Sequence, residues 1–499
     1  VSIIKKLAKD TVAYGLSSIL ARLINYIFGF IIVLYITPAE YGIYAKFYAY
    51  AGFILVVLTH GMETTFFRYY SMEDKPSEVF GTTFASIGIA SVIFGLFCYA
   101  LKAPISYWVQ EPEEIGYVLF FAGILIFDAL SALPFAYLRA THQPYRFALL
   151  KILAILLMLV ITMTLLYLVT NENYYDGILG YIANHRVSTI FIGNLMSSAI
   201  IVLTFLPLVM RTIAKPSFKL YKKMLPYALP IMVVGFAGMI NEMLDRILLE
   251  RLLPYSPIEN KTQLGIYSFN YKLAMMMTLF IQAYRYAAEP YFFAQAKHKD
   301  AQQVYAKTMH YFIGAGMLIF TVISCATPLI YKILLQVNPN KFAPYASGWR
   351  VVPILLAANL CLGIYFNIST WYKITDRTYF GAIIALLGAC ITIFLNYGLV
   401  PTMGYLGSAW ATLLCYLIMV ILGYTLEKKY YPIPYPLRKI AQIICMALAI
   451  TIGYLYLLQI KDLSLSMIFL SVVGIILIFF MYLYLHFKNV AFINRKISD

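Results

Sequence analysis

Fourteen apolar stretches, each long enough to cross a bilayer at ~1.5 Å per residue, follow one another along the chain and are separated by short connections that hold most of the charge. They cover residues 11–36, 43–67, 79–101, 115–138, 148–170, 187–210, 227–252, 264–288, 308–331, 350–371, 378–400, 405–426, 439–459 and 464–486. Backbone polar groups in hydrocarbon must be satisfied inside their own segment, so continuous runs of this length become helices. A chain of 499 residues that is 62% hydrophobic and 12% charged lies outside the range of soluble domains. The expected fold class is an all-α integral membrane protein with 14 transmembrane helices.

The formal net charge of +16 suggests nucleic acid until the basic residues are located. With the N-terminus placed in the cytoplasm, 25 of the 38 Lys and Arg fall in or at the edge of one set of connections, 8 in or at the edge of the opposite set, and the remaining 5 are counted within spans. That asymmetry is the topology signal of a membrane protein, and it puts both termini on the cytoplasmic side. Lys5, Lys6 and Lys9 precede Thr11 to Ile36, a stretch too long and too poor in small residues at its end for a cleaved signal peptide, so it is expected to be the first span. Cys98, Cys325, Cys361, Cys390, Cys415 and Cys445 stand singly in or at the edge of apolar segments, without ligand spacing. They are expected to be small buried hydrophobes, with neither disulfide nor metal.

An internal repeat divides the chain. Gly42-Ile43-Tyr44 at the second span returns as Gly265-Ile266-Tyr267 at the eighth, with Tyr48 matching Tyr271 and Ala51 matching Ala274. Gly177-Ile178-Leu179-Gly180 before the sixth span resembles Gly404-Tyr405-Leu406-Gly407 before the twelfth at nearly the same offset. Two parallel six-helix halves follow, of the kind that meet at a central site and rock around it. The expected organisation is an N-terminal lobe over 1–210, a basic amphipathic linker over 211–226 lying in part on the inner leaflet, a C-terminal lobe over 227–429, and two added spans over 430–499 as a hairpin. The hairpin follows the Pro-rich stretch at 430–436.

Pro230 to Leu253 is long enough to span, yet carries Asn241, Glu242, Asp245, Arg246 and Glu250. On a helix Glu242, Arg246 and Glu250 are successive i, i+4 neighbours, so the arginine is placed to pair with a carboxylate one turn above and one below. An unpaired charge at the bilayer centre costs ~2.5–3.5 kcal/mol on insertion scales, so these groups are expected to face protein or water. The plain alternative is a structural ion-pair ladder near the outer end of the helix.

At this point the chain resembles the oligosaccharide flippases of the polysaccharide transporter branch of the multidrug/oligosaccharidyl-lipid/polysaccharide exporter superfamily. The residues that carry the resemblance are Thr37-Pro38-Ala39-Glu40-Tyr41-Gly42, Gly61 with Glu63 and Arg68, Leu138-Arg139-Ala140, Pro230 with Asp245-Arg246, Leu264-Gly265-Ile266-Tyr267, and Asn396 followed by Gly404 to Thr412. The resemblance implies two six-helix lobes around a central cavity that opens alternately to either face. The implied cargo is an undecaprenyl-diphosphate-linked oligosaccharide, such as an O-antigen unit. The implied setting is the bacterial inner membrane, beside polysaccharide polymerase machinery. Such a headgroup cannot cross hydrocarbon without cations and water beside it.

The charged residues within spans are then weighed as cargo contacts. Arg22 lies ~18 Å into span 1 by helical rise, with Asn25 one turn on, and is the first candidate for the diphosphate. Its structural alternative is to cap neighbouring backbone or to pair with Asp128 of span 4. Glu63 and Arg68 near the end of span 2, and Arg285 near the end of span 8, are candidate cargo-gathering groups at the cytoplasmic mouth, with Glu289 beside Arg285 and snorkelling as the plain explanation of both arginines. Glu242, Asp245, Arg246 and Lys272 are candidates for gating the outer mouth or for ion coupling, and H+ or Na+ is the candidate coupling ion. His60 is expected to be a packed interfacial histidine, and Lys46 to reach the interface from the outer end of span 2. No bound cofactor or metal is expected. The other readings are a cation-coupled drug exporter, a lipid II flippase, and an intramembrane glycosyl transferase or polymerase. The last is disfavoured because no DxD pair and no long outer connection is present.

Overall fold

The computed structural model describes residues 19–171, 185–296, 298–460 and 464–498, and every regular element among them is an α-helix. Thirteen stretches are long and apolar enough to span a membrane, and Ile19–Ile32 is the described part of the first expected span. Large apolar side chains such as Ile93, Leu96, Ile452, Leu470 and Leu477 are exposed along these helices, a surface that only hydrocarbon covers favourably.

The chain divides into two compact units, Val1–Glu250 and Arg251–Asp499. The first holds α1 (Ile19–Ile32), α2 (Pro38–Thr59), α3 (Met62–Met72), α4 (Pro76–Ala100), the short α5 (Lys102–Trp108), α6 (Ile115–Ala140), α7 (Pro144–Asn171), α8 (Arg186–Thr212) and all but the last turn of α9 (Phe218–Leu252). The second holds α10 (Pro257–Gln295), α11 (Ala301–Val337), α12 (Pro339–Ala346), α13 (Val351–Ile368), α14 (Thr370–Ile374), α15 (Tyr379–Met403), α16 (Tyr405–Tyr430), α17 (Leu437–Ile460) and α18 (Leu465–Ser498). α6 packs with α4 and α8 in the first unit. In the second, α13, α15 and α16 pack together, while α17 and α18 lie against α11.

Two helices begin with the same device. Thr37 Oγ1 accepts from the Glu40 amide while the Glu40 carboxylate accepts from the Thr37 amide, closing a capping box, and Pro38 opens α2. Ser256 Oγ accepts from the Glu259 amide, and Pro257 opens α10. Gly42 lies five residues after its cap and Gly265 nine after its own, so the two caps are alike in chemistry but four residues out of step with the repeat. Gly180 falls outside the described residues.

Two details differ from the sequence reading. Span 2 is broken into α2 and α3 at His60 and Gly61, whose φ values are 33° and 73°. A Cβ on Gly61 would stand 2.2 Å from the carbonyl oxygen of Ala228 on α9, so only glycine allows this approach. The linker is the second: α8 ends at Thr212, and residues 218–225 form the first two turns of α9 rather than a separate surface helix. Pro226 and Pro230 are accommodated within α9, as prolines commonly are in membrane helices.

The stretch 396–412 builds a tight hairpin between α15 and α16. Gly404 takes φ 62° and ψ −143°, a conformation open to glycine, and a Cβ on Gly407 would meet the Leu399 carbonyl oxygen at 2.2 Å. Asn396 Oδ1 accepts from Ser408 Oγ at 3.0 Å, and Asn396 Nδ2 donates to the Thr392 carbonyl at 2.8 Å. These residues shape the fold. The six cysteines are free: Cys98, Cys325 and Cys415 are buried and Cys361 half-buried, whereas Cys390 and Cys445 stand exposed on their helices, contrary to the expectation that all are buried.

Candidate functional site

In the first unit, ionisable groups from α1, α3, α6 and α7 gather around Lys151. Its ammonium lies 4.1 Å from the centre of the Phe135 ring and within electrostatic range of Asp128, Glu63, Arg139 and Arg22. Asp128 Oδ1 accepts from Ser198 Oγ at 2.7 Å. Arg139 donates from Nη2 to Glu63 and stacks over the Phe67 ring at 4.9 Å. Arg22 and Asn25 are exposed on α1, and Arg22 makes no ion pair or hydrogen bond among the described residues.

Among the described residues Arg22 does not pair with Asp128. Asp128 is served by Ser198, with Lys151 as the nearby cation, and Arg22 has no acceptor among the described residues. An arginine beside a lysine, with each carboxylate nearby committed elsewhere, repels its neighbour until an anion arrives. A planar guanidinium fork next to an ammonium suits a group with several acceptor oxygens. The site is completed by a polar row on α8: Asn194 donates to Tyr48 Oη at 2.6 Å, Ser197 to the Ala154 carbonyl at 2.6 Å, and Ser198 to Asp128. Lys151, Arg139 and this row were not singled out from sequence. The spacing of Asn194, Ser197 and Ser198 at i, i+3 and i+4 in an apolar helix was the available signal.

A second cluster adds partners that the reading of Pro230 to Leu253 did not contain. Arg246 Nη1 donates to the Glu242 backbone carbonyl at 2.7 Å and to Asp245 Oδ1 at 3.1 Å, while the Glu242 side chain is exposed. Glu250 is held by Lys46. Lys46 Nζ donates to Glu250 Oε1 at 2.8 Å and to Glu111 Oε1 at 2.7 Å, with side-chain exposures of 2%, 3% and 5%. Lys46 thus does not snorkel to an interface: it is a buried tie between α2, α9 and the segment before α6. The same two helices touch further along, where Gly52 faces Met239 and Phe53 packs edge-on against Phe236 with ring centroids 5.3 Å apart. Glu111 lies in a connection expected to be aqueous, and no periodic signal marks it.

The remaining candidates are separate from these clusters. Arg68 is exposed, with its guanidinium 4.3 Å from the Tyr227 ring centre. His60 is packed as expected, Nδ1 against the Leu58 carbonyl and Nε2 against Ser86 Oγ at 2.6 Å. In the second unit Lys272 is half-buried on α10. Arg285 lies 4.1 Å over the Phe366 ring, in a pocket it lines with Tyr284, Glu289, Asn367 and Lys373. There Lys373 Nζ pairs with Glu289 Oε1 at 2.6 Å, and Tyr284 donates to Asn367 Oδ1 at 2.5 Å.

Residues 7–295 match the family model described as polysaccharide biosynthesis protein. The chain belongs to that family. Its fold is shared with a lipid II flippase, MurJ, in an inward closed conformation, at a TM-score of 0.69 and 14% identity over 95% of this chain and 99% of that one. It is also shared with an inward-facing multidrug resistance MATE transporter of the MOP superfamily, at a TM-score of 0.62 and 13% identity over 85% of this chain and 97% of that one. A third similar structure is the MATE multidrug transporter DinF-BH, at a TM-score of 0.58 and 14% identity over 85% and 96% of the two chains. No curated protein sequence matches this chain. The protein is a multi-pass membrane protein with the fold of flippases and transporters, in a polysaccharide biosynthesis family.

Proposed function

We propose that this protein moves a polyprenyl-diphosphate-linked oligosaccharide from the inner to the outer leaflet of a bacterial plasma membrane by alternating access, supplying surface polysaccharide assembly. The observation that carries the reading is the arginine–lysine pair of the first unit: Arg22 is exposed and without an ion-pair partner among the described residues, with Lys151 in its field. A diphosphate supplies the charge and acceptors that this pair lacks, and Asn25, exposed on the same helix one turn on, is suited to the sugar-proximal oxygens. The family description and the flippase among the similar folds support a lipid-linked cargo.

In this reading both termini and the connection before α9 face the cytoplasm, where the charged, undecorated end of the cargo is loaded. The pocket of Arg285 and Lys373 gathers anionic headgroups at the same side. Glu242, Asp245 and Arg246 in the first unit, and Lys272 in the second, are assigned to gating or to coupling with H+ or Na+. A lipid II flippase is the second reading, favoured by the coverage of 95% of this chain by that fold against 85% for the MATE transporters.

The deciding experiment is transport of a defined polyprenyl-diphosphate sugar into proteoliposomes, run beside a drug-efflux assay on the same preparation. Movement of the lipid-linked sugar without efflux of cationic dyes is expected. Efflux with no lipid movement would overturn the proposal, and a preference for a peptide-bearing lipid would select the second reading. Labelling of a single cysteine at position 219 from inside only is the matching topology result.

A further inference from the structure

Among the described residues Glu427 is a carboxylate with no charged partner. It sits in the last turn of α16, is fully buried, and makes no ion pair among the described residues. Oε2 accepts from the Tyr435 hydroxyl at 2.9 Å and the Ile433 amide lies beside the carboxyl, while Oε1 is buried without a partner in bonding geometry. The two residues are held together by stiff chain: Tyr435 belongs to the stretch Pro432-Ile433-Pro434-Tyr435-Pro436, whose prolines fix the backbone between α16 and α17.

The surrounding ionisable groups do not supply a counter-charge. Tyr424 lies on the same helix, with its ring centroid 6.2 Å from that of Tyr435. Tyr284, Arg285 and Glu289 come from α10, Tyr305 from α11, Tyr431 from the connection and Lys373 from α14. Lys373 is paired with Glu289, and Arg285 lies over Phe366. Lys428, Lys429 and Arg377 are exposed around Tyr430. Burying an ionised carboxylate without a partner costs several kcal/mol, whereas a neutral carboxyl with one idle acceptor costs far less.

Tyr435 packs against the same cluster as Tyr284 and lies within its electrostatic range, and Tyr284 lines the Arg285 pocket and donates to Asn367. Two tyrosine hydroxyls, Tyr435 on the carboxyl and Tyr284 at the pocket of Arg285, thus lie within electrostatic range of each other. We propose that Glu427 is a proton-binding site of the second unit, holding a proton in this conformation and exchanging it through Tyr435 and Tyr284 with the pocket of Arg285, Glu289 and Lys373. The carboxyl loses its proton to that pocket when the surroundings open to water, and regains it when they close. What the proton does for transport rests on the function proposed above; that it is bound does not.

Two measurements on the full chain separate these points. Infrared spectroscopy of the reconstituted protein at neutral pH is expected to show a neutral carboxylic acid carbonyl band that shifts in Tyr435→Phe and is missing in Glu427→Gln. Inorganic diphosphate added as the pocket ligand is expected to change its intensity. Absence of the band in the parent protein overturns the proposal whatever the cargo proves to be. A band unmoved by Tyr435→Phe and unaffected by diphosphate overturns the exchange route.

Glu427→Gln keeps an acceptor for Tyr435 and so preserves a purely structural tether. It is expected to slow proteoliposome transport by about tenfold or more and to remove its dependence on internal pH. Transport by Glu427→Gln at the parental rate with the parental pH profile overturns the coupling role. Should that variant fail to fold, the parental band and its response to Tyr435→Phe decide the question alone.

Discussion

Lys46 and Arg22 are long cations on consecutive helices of the first unit, and the protein treats them in opposite ways. Lys46 is 2% exposed and holds two carboxylates at 2.7 and 2.8 Å, each from a different segment. Arg22 is exposed, with no carboxylate bound among the described residues and a lysine in its neighbourhood. A buried charge that has its partners is part of the scaffold, since removing it strands the partners. A charge kept at a polar wall without one is available to something that arrives. The difference separates groups that hold helices in place from groups that meet cargo, and residue type alone would not have made it.

The largest effect should come from breaking the buried tie. Lys46→Ala leaves Glu111 and Glu250 facing each other without their shared ammonium and is expected to destabilise the protein by ~3–5 kcal/mol, read as a lower melting temperature and reduced yield in detergent. Lys46→Met combined with Glu111→Gln and Glu250→Gln should recover most of that loss. A melting temperature for Lys46→Ala equal to the parent's would show that the cluster does not hold α2 to α9.

Arg22→Ala is the opposite test. Its melting temperature should stay at the parental value, while transport falls by about 10- to 100-fold, the worth of ~1.5–3 kcal/mol for a hydrogen bond to a charged group. Arg22→Lys should keep part of the activity, since it retains charge and loses the fork. Arg22→Ala with Asp128→Ala should be no better than Arg22→Ala. Restoration by that double change would mean that Arg22 exists to neutralise Asp128, against the hydrogen bond Asp128 makes to Ser198.

Lys151→Met should act in the same direction and less, by about threefold to tenfold in transport, because its stem still packs on Phe135 and Arg22 remains. If both cations meet one diphosphate, the Arg22→Ala, Lys151→Met double variant will fall short of the product of the single effects, as residues sharing a partner do. Independent, multiplying effects would place the two at different ligands.

Membrane insertion, the number of spans and the helical class were legible because hydrocarbon imposes them on every segment. The caps of α2 and α10 were legible as well, being local: Thr37 to Glu40 and Ser256 to Glu259 need nothing beyond their own turn. Pairing was not. The i, i+4 rule offered Glu250 to Arg246 on one helix, and it could not show Lys46, which ties Glu250 to Glu111 from segments distant in sequence. For the same reason Lys151 looked like one more basic residue at a span boundary, until α1, α3 and α6 put Arg22, Glu63 and Asp128 around it. Helical periodicity places a charge on a face, and only the packing of other helices says who shares that face.

The smallest effect is expected where pairing is partial. Lys373 and Glu289 lie 2.6 Å apart with side chains 30% and 43% exposed, beside Arg285, which stacks on Phe366. A pair this accessible contributes ~0–1 kcal/mol, so Lys373→Ala should leave the melting temperature nearly unchanged. Its charge is already largely answered by Glu289, so the cargo gains little from it, and initial transport rates at limiting cargo should fall by no more than about threefold. Glu289→Gln should do the reverse: it frees the ammonium, and rates at limiting cargo should rise slightly. Arg285→Ala, which removes a cation without a carboxylate partner among the described residues, should cost more than Lys373→Ala. Were Lys373→Ala as damaging as Arg22→Ala, the presence of a bound carboxylate would no longer distinguish scaffold from cargo site, and the contrast between Lys46 and Arg22 would need another cause.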